Sequence, residues 1–183
     1  MKTRLYDGTF GCCWLIAALL GVAVLAACSS SHFQVFRTST EEDFSKWCEE
    51  MRSETDNIAV ERIGQWMHDH MKYEKGTKVY WPHYLDAWNQ RTNCEGYARV
   101  AIECLHRIRH DNYVLFQVDY PGGWHVICVK VDRKLWVSNT GWGIVPYPAN
   151  QSWAEMAKWI NSGWADYKIY SRNLKLTDHF VRP

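Results

Sequence analysis

Neither sign of charge is in surplus in this sequence of 183 residues: Lys and Arg total 21, Asp and Glu total 20, and the formal net charge is +1. A nucleic-acid binder concentrates basic residues against the phosphates, so the balance argues against that class. No Cys-x-x-Cys pair occurs, which removes the commonest zinc motif. His68-Asp69-His70 does not replace it, because residues two apart on a helix point about 200° apart and cannot share an ion. There is no internal repeat and no low-complexity stretch. The single long apolar run, from about Cys12 to Ala27, is short for a bilayer span.

What is present reads as a globular, core-forming chain. Hydrophobic residues make up 47% and charged residues 22%, outside the disordered range. The length suits one domain and hardly two. Eleven Trp are many, and each is expected in the core or lining a groove. The apolar run follows a basic start at Lys2 and Arg4 and ends Leu25-Ala26-Ala27-Cys28 before three serines. That layout fits a signal peptide over residues 1–27. Its end resembles the bacterial lipobox, which implies lipidation of Cys28 and cleavage before it. Ser29 after the cysteine resembles lipoproteins of the outer membrane, so the expected location is the periplasmic side of that membrane, held by acyl chains. Residues 28–37 then read as a tether and 38–183 as the domain. The periplasm permits disulfides, and one bridge is expected at most among Cys48, Cys104 and Cys128 if Cys94 is a free nucleophile.

Along the domain, Thr38 to Glu42 reads as a helix start, with Phe44, Trp47, Cys48 and Met51 at helical spacing. A second helix begins near Thr55-Asp56, with Ile58, Ile63, Trp66, Met67 and His70 or Met71 on its buried stripe. Residues 74–92 read mostly as an irregular loop. A third helix begins at Asn93 or Cys94, with Tyr97, Val100, Ala101, Cys104, Leu105 and Ile108 facing inward. The period then changes to strands over Tyr113–Asp119, Trp124–Val131 and Leu135–Asn139, followed by a helix over 150–161 and a short strand over Tyr167–Ser171. Helices first and an antiparallel sheet after them predict an α+β fold.

The stretch Thr92-Asn93-Cys94-Glu95-Gly96-Tyr97-Ala98 carries the chemistry. Asn93 is a good N-cap, which sets Cys94 in the first turn, where the helix end favours a thiolate. Gly96 is expected to leave room for a substrate backbone. A thiol nucleophile needs a proton carrier, and Gly122-Gly123-Trp124-His125 supplies a histidine at the start of a strand. The third member of such a set fixes the imidazole tautomer. A three-residue turn at Asp132–Lys134 puts Asn139 on the face of His125, and a two-residue turn puts Ser138 there. Asn139 is the expected member because its amide oxygen is a fixed acceptor.

Cysteine at a helix start followed by Glu-Gly-Tyr-Ala, then a strand histidine and a polar residue on the next strand, resembles the transglutaminase-like cysteine peptidase superfamily. Tyr80-Trp81-Pro82, Leu85 and Arg91-Thr92-Asn93 resemble the segment leading to that family's cysteine. The likeness covers about residues 55 to 145. The family usually has Asp as the third member, and the segment here has none. The resemblance implies a papain/transglutaminase-like core with N-terminal helices on an antiparallel sheet. It implies a catalytic set of Cys94, His125 and Asn139 that cleaves or transfers amide bonds through a thioester, with a peptide or protein substrate in the cell envelope. Trp81 or a neighbour is expected to help complete an oxyanion site with the Cys94 N–H, and no cofactor or metal is expected. The alternative is a non-catalytic envelope binding module on the same fold.

Overall fold

A computed structural model describes residues 40–75, 81–89 and 91–182. The expected signal peptide, Cys28 and the tether lie outside the described residues, as does Tyr80. Among the described residues no helix is long and apolar enough to cross a membrane.

Four helices come first: α1 (Glu41–Met51), α2 (Asp56–His70), α3 (Tyr84–Asn89) and α4 (Cys94–Arg107). Strands β1 (Tyr113–Tyr120), β2 (Gly123–Lys130), β3 (Leu135–Ser138) and β4 (Gly141–Ile144) follow. Helix α5 (Trp153–Ile160) precedes β5 (Asp166–Tyr170) and β6 (Leu176–Val181). The strands form one antiparallel sheet in the order β4-β3-β2-β1-β5-β6, so the fold is α+β.

Local chemistry explains the helix ends. Thr40 and Asp43 form a reciprocal capping box at the start of α1, and the Ser152 hydroxyl caps α5. α1 buries Phe44, Trp47 and Cys48, and α4 buries Val100, Ala101, Cys104 and Leu105 without residual exposure. Each fully buried Val or Leu contributes roughly 1.5–3 kcal/mol. The expected stripe of α2 is corrected at Ile58, which is exposed; Ala59, Val60, Ile63 and Met67 are the buried positions. α2 lies close enough to β4 that a Cβ on Gly64 would come within 2.7 Å of the Trp142 ring.

The sheet separates two cores. The α1–α4 side holds Phe44, Ile63, Met67, Leu105, Leu115, Val126, Cys128 and Val137. The α5 side holds Phe116, Val118, Ile127, Val129, Met156 and Trp164. The tryptophans divide accordingly. Trp47, Trp66 and Trp88 pack ring on ring among the first helices, with Trp142 against the same core.

Two segments differ from the sequence expectation. α3 forms inside the stretch read as loop, because Tyr84 is held on α1 and α4 by Glu41 and Arg107. β4 and β6 extend the sheet at both ends, and every residue of β6 is exposed.

Candidate active site

Asn93 caps α4 as its sequence predicts: the side-chain oxygen accepts from the Gly96 N–H at 3.2 Å. Cys94 therefore opens the helix, with its sulfur near the backbone N–H groups of Val126, Glu95 and Cys94 itself. The thiolate expected from this position does not result. Cys94 is 4% exposed, and burial raises its thiol above the ordinary value despite those three donors. The room expected at Gly96 is also taken, since a Cβ there would lie 1.8 Å from Thr92 Oγ1. The glycine is required by contact with the preceding segment, not by a substrate.

His125 pairs with Val118 across β1 and β2. Trp124 and Val126, its neighbours, belong to the helix side of the sheet: Trp124 Nε1 donates to Glu95 Oε1 at 3.1 Å, and Val126 joins the helix-side core. Alternation sends the His125 ring to the opposite side. There it lines a cavity of about 390 Å³ with Tyr120, Ile127, Trp136, Thr140 and Trp159. Burial alone lowers its pKa to about 4, so the imidazole is neutral at ordinary pH. Among the described residues no hydrogen bond engages the ring.

Cys94 is not among the residues that line this cavity, but two features lie near both. The first is a gap in the strand pairing, an opening where β2 runs past the end of β3. β2 pairs with β3 only at Cys128 and Val129, which leaves the half of β2 from Gly123 to Ile127 without a β3 neighbour. The Cys94 sulfur meets the backbone of Val126 in that half. The second is Tyr73. Its backbone is tied to the segment before Cys94, with Thr92 N–H donating to Lys72 O at 3.0 Å and Glu74 N–H donating to Thr92 O at 2.9 Å. After burial, the proximity of Cys94 and then Tyr120 raises its phenol. Tyr73 thus lies within electrostatic range of both the thiol and Tyr120, which lines the His125 cavity.

The third position is corrected by register. Cys128 faces Val137 and Val129 faces Trp136, the register of the two-residue alternative at the β2–β3 turn. Carried forward, it sets Ser138 on the His125 side. The Ser138 hydroxyl bonds Thr140 Oγ1 at 2.8 Å and accepts from the Thr140 N–H at 3.0 Å. Asn139 occupies the tight turn between β3 and β4, and its Oδ1 is buried without a partner. The structure therefore does not bring Asn139 to His125 by the three-residue register.

Glu95 is a site residue that sequence reasoning passed over. It is completely buried, and its carboxylate accepts from the Trp81 N–H, the Asn93 amide and the Trp124 indole at 3.1–3.3 Å. It anchors the approach segment, the helix cap and β2 together around Cys94. Trp81, expected with its neighbours to help complete an oxyanion site, has its backbone N–H committed to this carboxylate. The adjacency of Trp124 and His125 on a strand was the available signal for the indole, since neighbours must face opposite sides. Nothing in the sequence singled out Tyr73 or Tyr120.

Chemically, the arrangement offers a neutral thiol, backbone N–H donors around it and a neutral imidazole beyond the sheet opening. Among the described residues no three His, Cys, Asp or Glu side chains are grouped to hold a metal. Compared with known proteins, the chain matches no family model, and no curated protein is significantly similar to it.

Proposed function

We propose that this chain is a thiol enzyme of the bacterial cell envelope that transfers acyl groups from amides through a thioester on Cys94. The observation that carries the reading is the placement of Cys94 at a capped helix start, its sulfur against the backbone of the residue that follows His125. In this reading His125, which lies across the sheet from the sulfur, is reached through the gap beside β2: it takes the thiol proton as the sulfur attacks the amide carbonyl, then delivers it to the leaving amine. Because both groups are neutral at rest, the proton moves during attack and no preformed ion pair is needed. The backbone N–H groups beside the sulfur are the donors for the developing oxyanion. Water as the second acceptor gives a peptidase or amidase, and an amine gives a transferase. The transglutaminase-like resemblance supports the same pair. In the observed register, the Ser138–Thr140 hydroxyl pair replaces Asn139 as the group on the imidazole side. Export, lipidation of Cys28 and attachment to the outer membrane belong to the same proposal and rest on the Leu25-Ala26-Ala27-Cys28 sequence.

An activated ester such as p-nitrophenyl acetate tests the chemistry. Mass spectrometry of the protein should find one acetyl group at Cys94, removable by hydroxylamine as thioesters are. His125→Ala should slow its formation by about 10²-fold or more. Acetylation at another residue, or a rate indifferent to His125→Ala, sinks the proposal.

The second reading, a non-catalytic binding module, is favoured by the 4% exposure of Cys94 and by a His125 ring that has no hydrogen-bond partner among the described residues. It expects no acyl-enzyme at all.

A further inference from the structure

We propose that Cys48 and Cys104 form a disulfide that staples α1 to α4, the helix that begins at Cys94. The two helices are in contact. Arg107 on α4 donates to Ser45 Oγ on α1 at 2.6 Å, pairs with Glu41, and lays its guanidinium over the Phe44 ring at 5.0 Å. One turn further along α1 lies Cys48, and one turn back along α4 lies Cys104. There the Cys104 thiol lies within interaction range of the Cys48 side chain, and neither residue has exposed surface.

The remaining described cysteines do not compete for it. Cys94 is ten residues from Cys104 on the same helix, roughly 15 Å away by helical rise. A disulfide spans no more than about 7 Å between Cα atoms. Cys128 lies on β2, where burial alone perturbs its thiol. The pairing therefore removes two thiols from circulation and leaves Cys94 reduced.

The oxidant is a disulfide-bearing thiol oxidoreductase or oxidised glutathione. One cysteine thiolate attacks a sulfur of the oxidant and expels one thiolate. The second cysteine attacks the mixed disulfide and expels the other. One S–S bond forms in the protein and one breaks in the oxidant, which receives two electrons and two protons. Complete burial of both sulfurs in the folded chain sets the timing: exchange precedes the docking of α1. The proposed export supplies the physiological setting, but the chemistry is testable without it and without any acyl-transfer activity.

The intact chain is refolded in a glutathione redox buffer, denatured, alkylated and digested. The digest should contain a peptide pair joined through Cys48 and Cys104, with Cys94 and Cys128 alkylated. Adding reductant should lower Tm by about 5–10 °C. The double variant Cys48→Ser, Cys104→Ser should show no such dependence on reductant, whatever its own Tm. Four alkylated thiols at these positions, a different joined pair, or a wild-type Tm that ignores reductant overturns the proposal.

Discussion

The two sides of the sheet are built to different standards of filling. On the helix side, Cys94 sits in a packed core, and Glu95 satisfies three donors at once. On the α5 side, His125 looks into about 390 Å³ of open space, bordered by the half-exposed Trp159. The side carrying the thiol is thus organised for position, and the side carrying the imidazole for access. A nucleophile must be held to within a fraction of an ångström of its line of attack, whereas a substrate needs volume. Under the proposed acyl transfer, the gap along half of β2 is what lets one molecule meet both requirements.

The largest effect that can break this contrast comes from the filled side. Glu95→Ala removes the acceptor shared by Trp81, Asn93 and Trp124 and leaves a void in a dry core. Urea unfolding should show a loss of about 4 kcal/mol. A loss under about 1 kcal/mol would mean that the carboxylate does not organise this side.

Acid should act through the open side. The His125 pKa is about 4 in the fold, against an ordinary 6.5. Between those values the unfolded chain binds a proton that the folded chain refuses. Stability from this group is therefore fully present above about pH 6.5 and is lost as pH falls toward 4, by about 3 kcal/mol. Unfolding of the wild type and of His125→Gln at pH 7.5 and 4.5 isolates the effect. If both proteins lose stability equally over that interval, His125 is not the buried neutral group described.

The smallest effect sharpens the contrast at the edge of the opening. Ser138→Ala deletes a buried hydroxyl bonded to Thr140 and should cost about 1–2 kcal/mol, with slower acylation of Cys94. Asn139→Ala removes an oxygen that has no partner and should stay within about 0.5 kcal/mol of wild type. Unfolding and ester-acylation rates measured side by side decide it. A silent Ser138→Ala with a damaging Asn139→Ala would return the third role to Asn139.

The sequence was most legible where periodicity and capping agree. α1, α2, α4 and α5 follow from apolar spacing, with a hydroxyl within Thr38–Thr40 and the Asn93 amide marking two starts, while the Ser152 cap that begins α5 at Trp153 was not read from the sequence. β1, β2 and β3 follow from alternation. β6 left no such signal because both of its faces are exposed, and six-residue α3 depends on distant partners. At the site, the helix position of Cys94 was legible, but its burial was not, and burial decides the direction of the thiol's shift. The register at Ser138 and Asn139 turned on a single residue of turn length, which composition does not specify.

The contact between Gly96 and Thr92 restricts the mutational routes open to this protein. With only 1.8 Å between a new Cβ and the threonine oxygen, Gly96→Ala forces the segment before Cys94 to move. That segment is also bridged to Tyr73, so the displacement reaches the thiol and the phenol together. Only glycine at 92 restores the room that Gly96→Ala consumes, because the Thr92 Cβ itself would lie 2.8 Å from the new Cβ. The two positions are therefore epistatic: the change at 92 has to come first, and a lineage that takes them in the reverse order passes through a disabled intermediate.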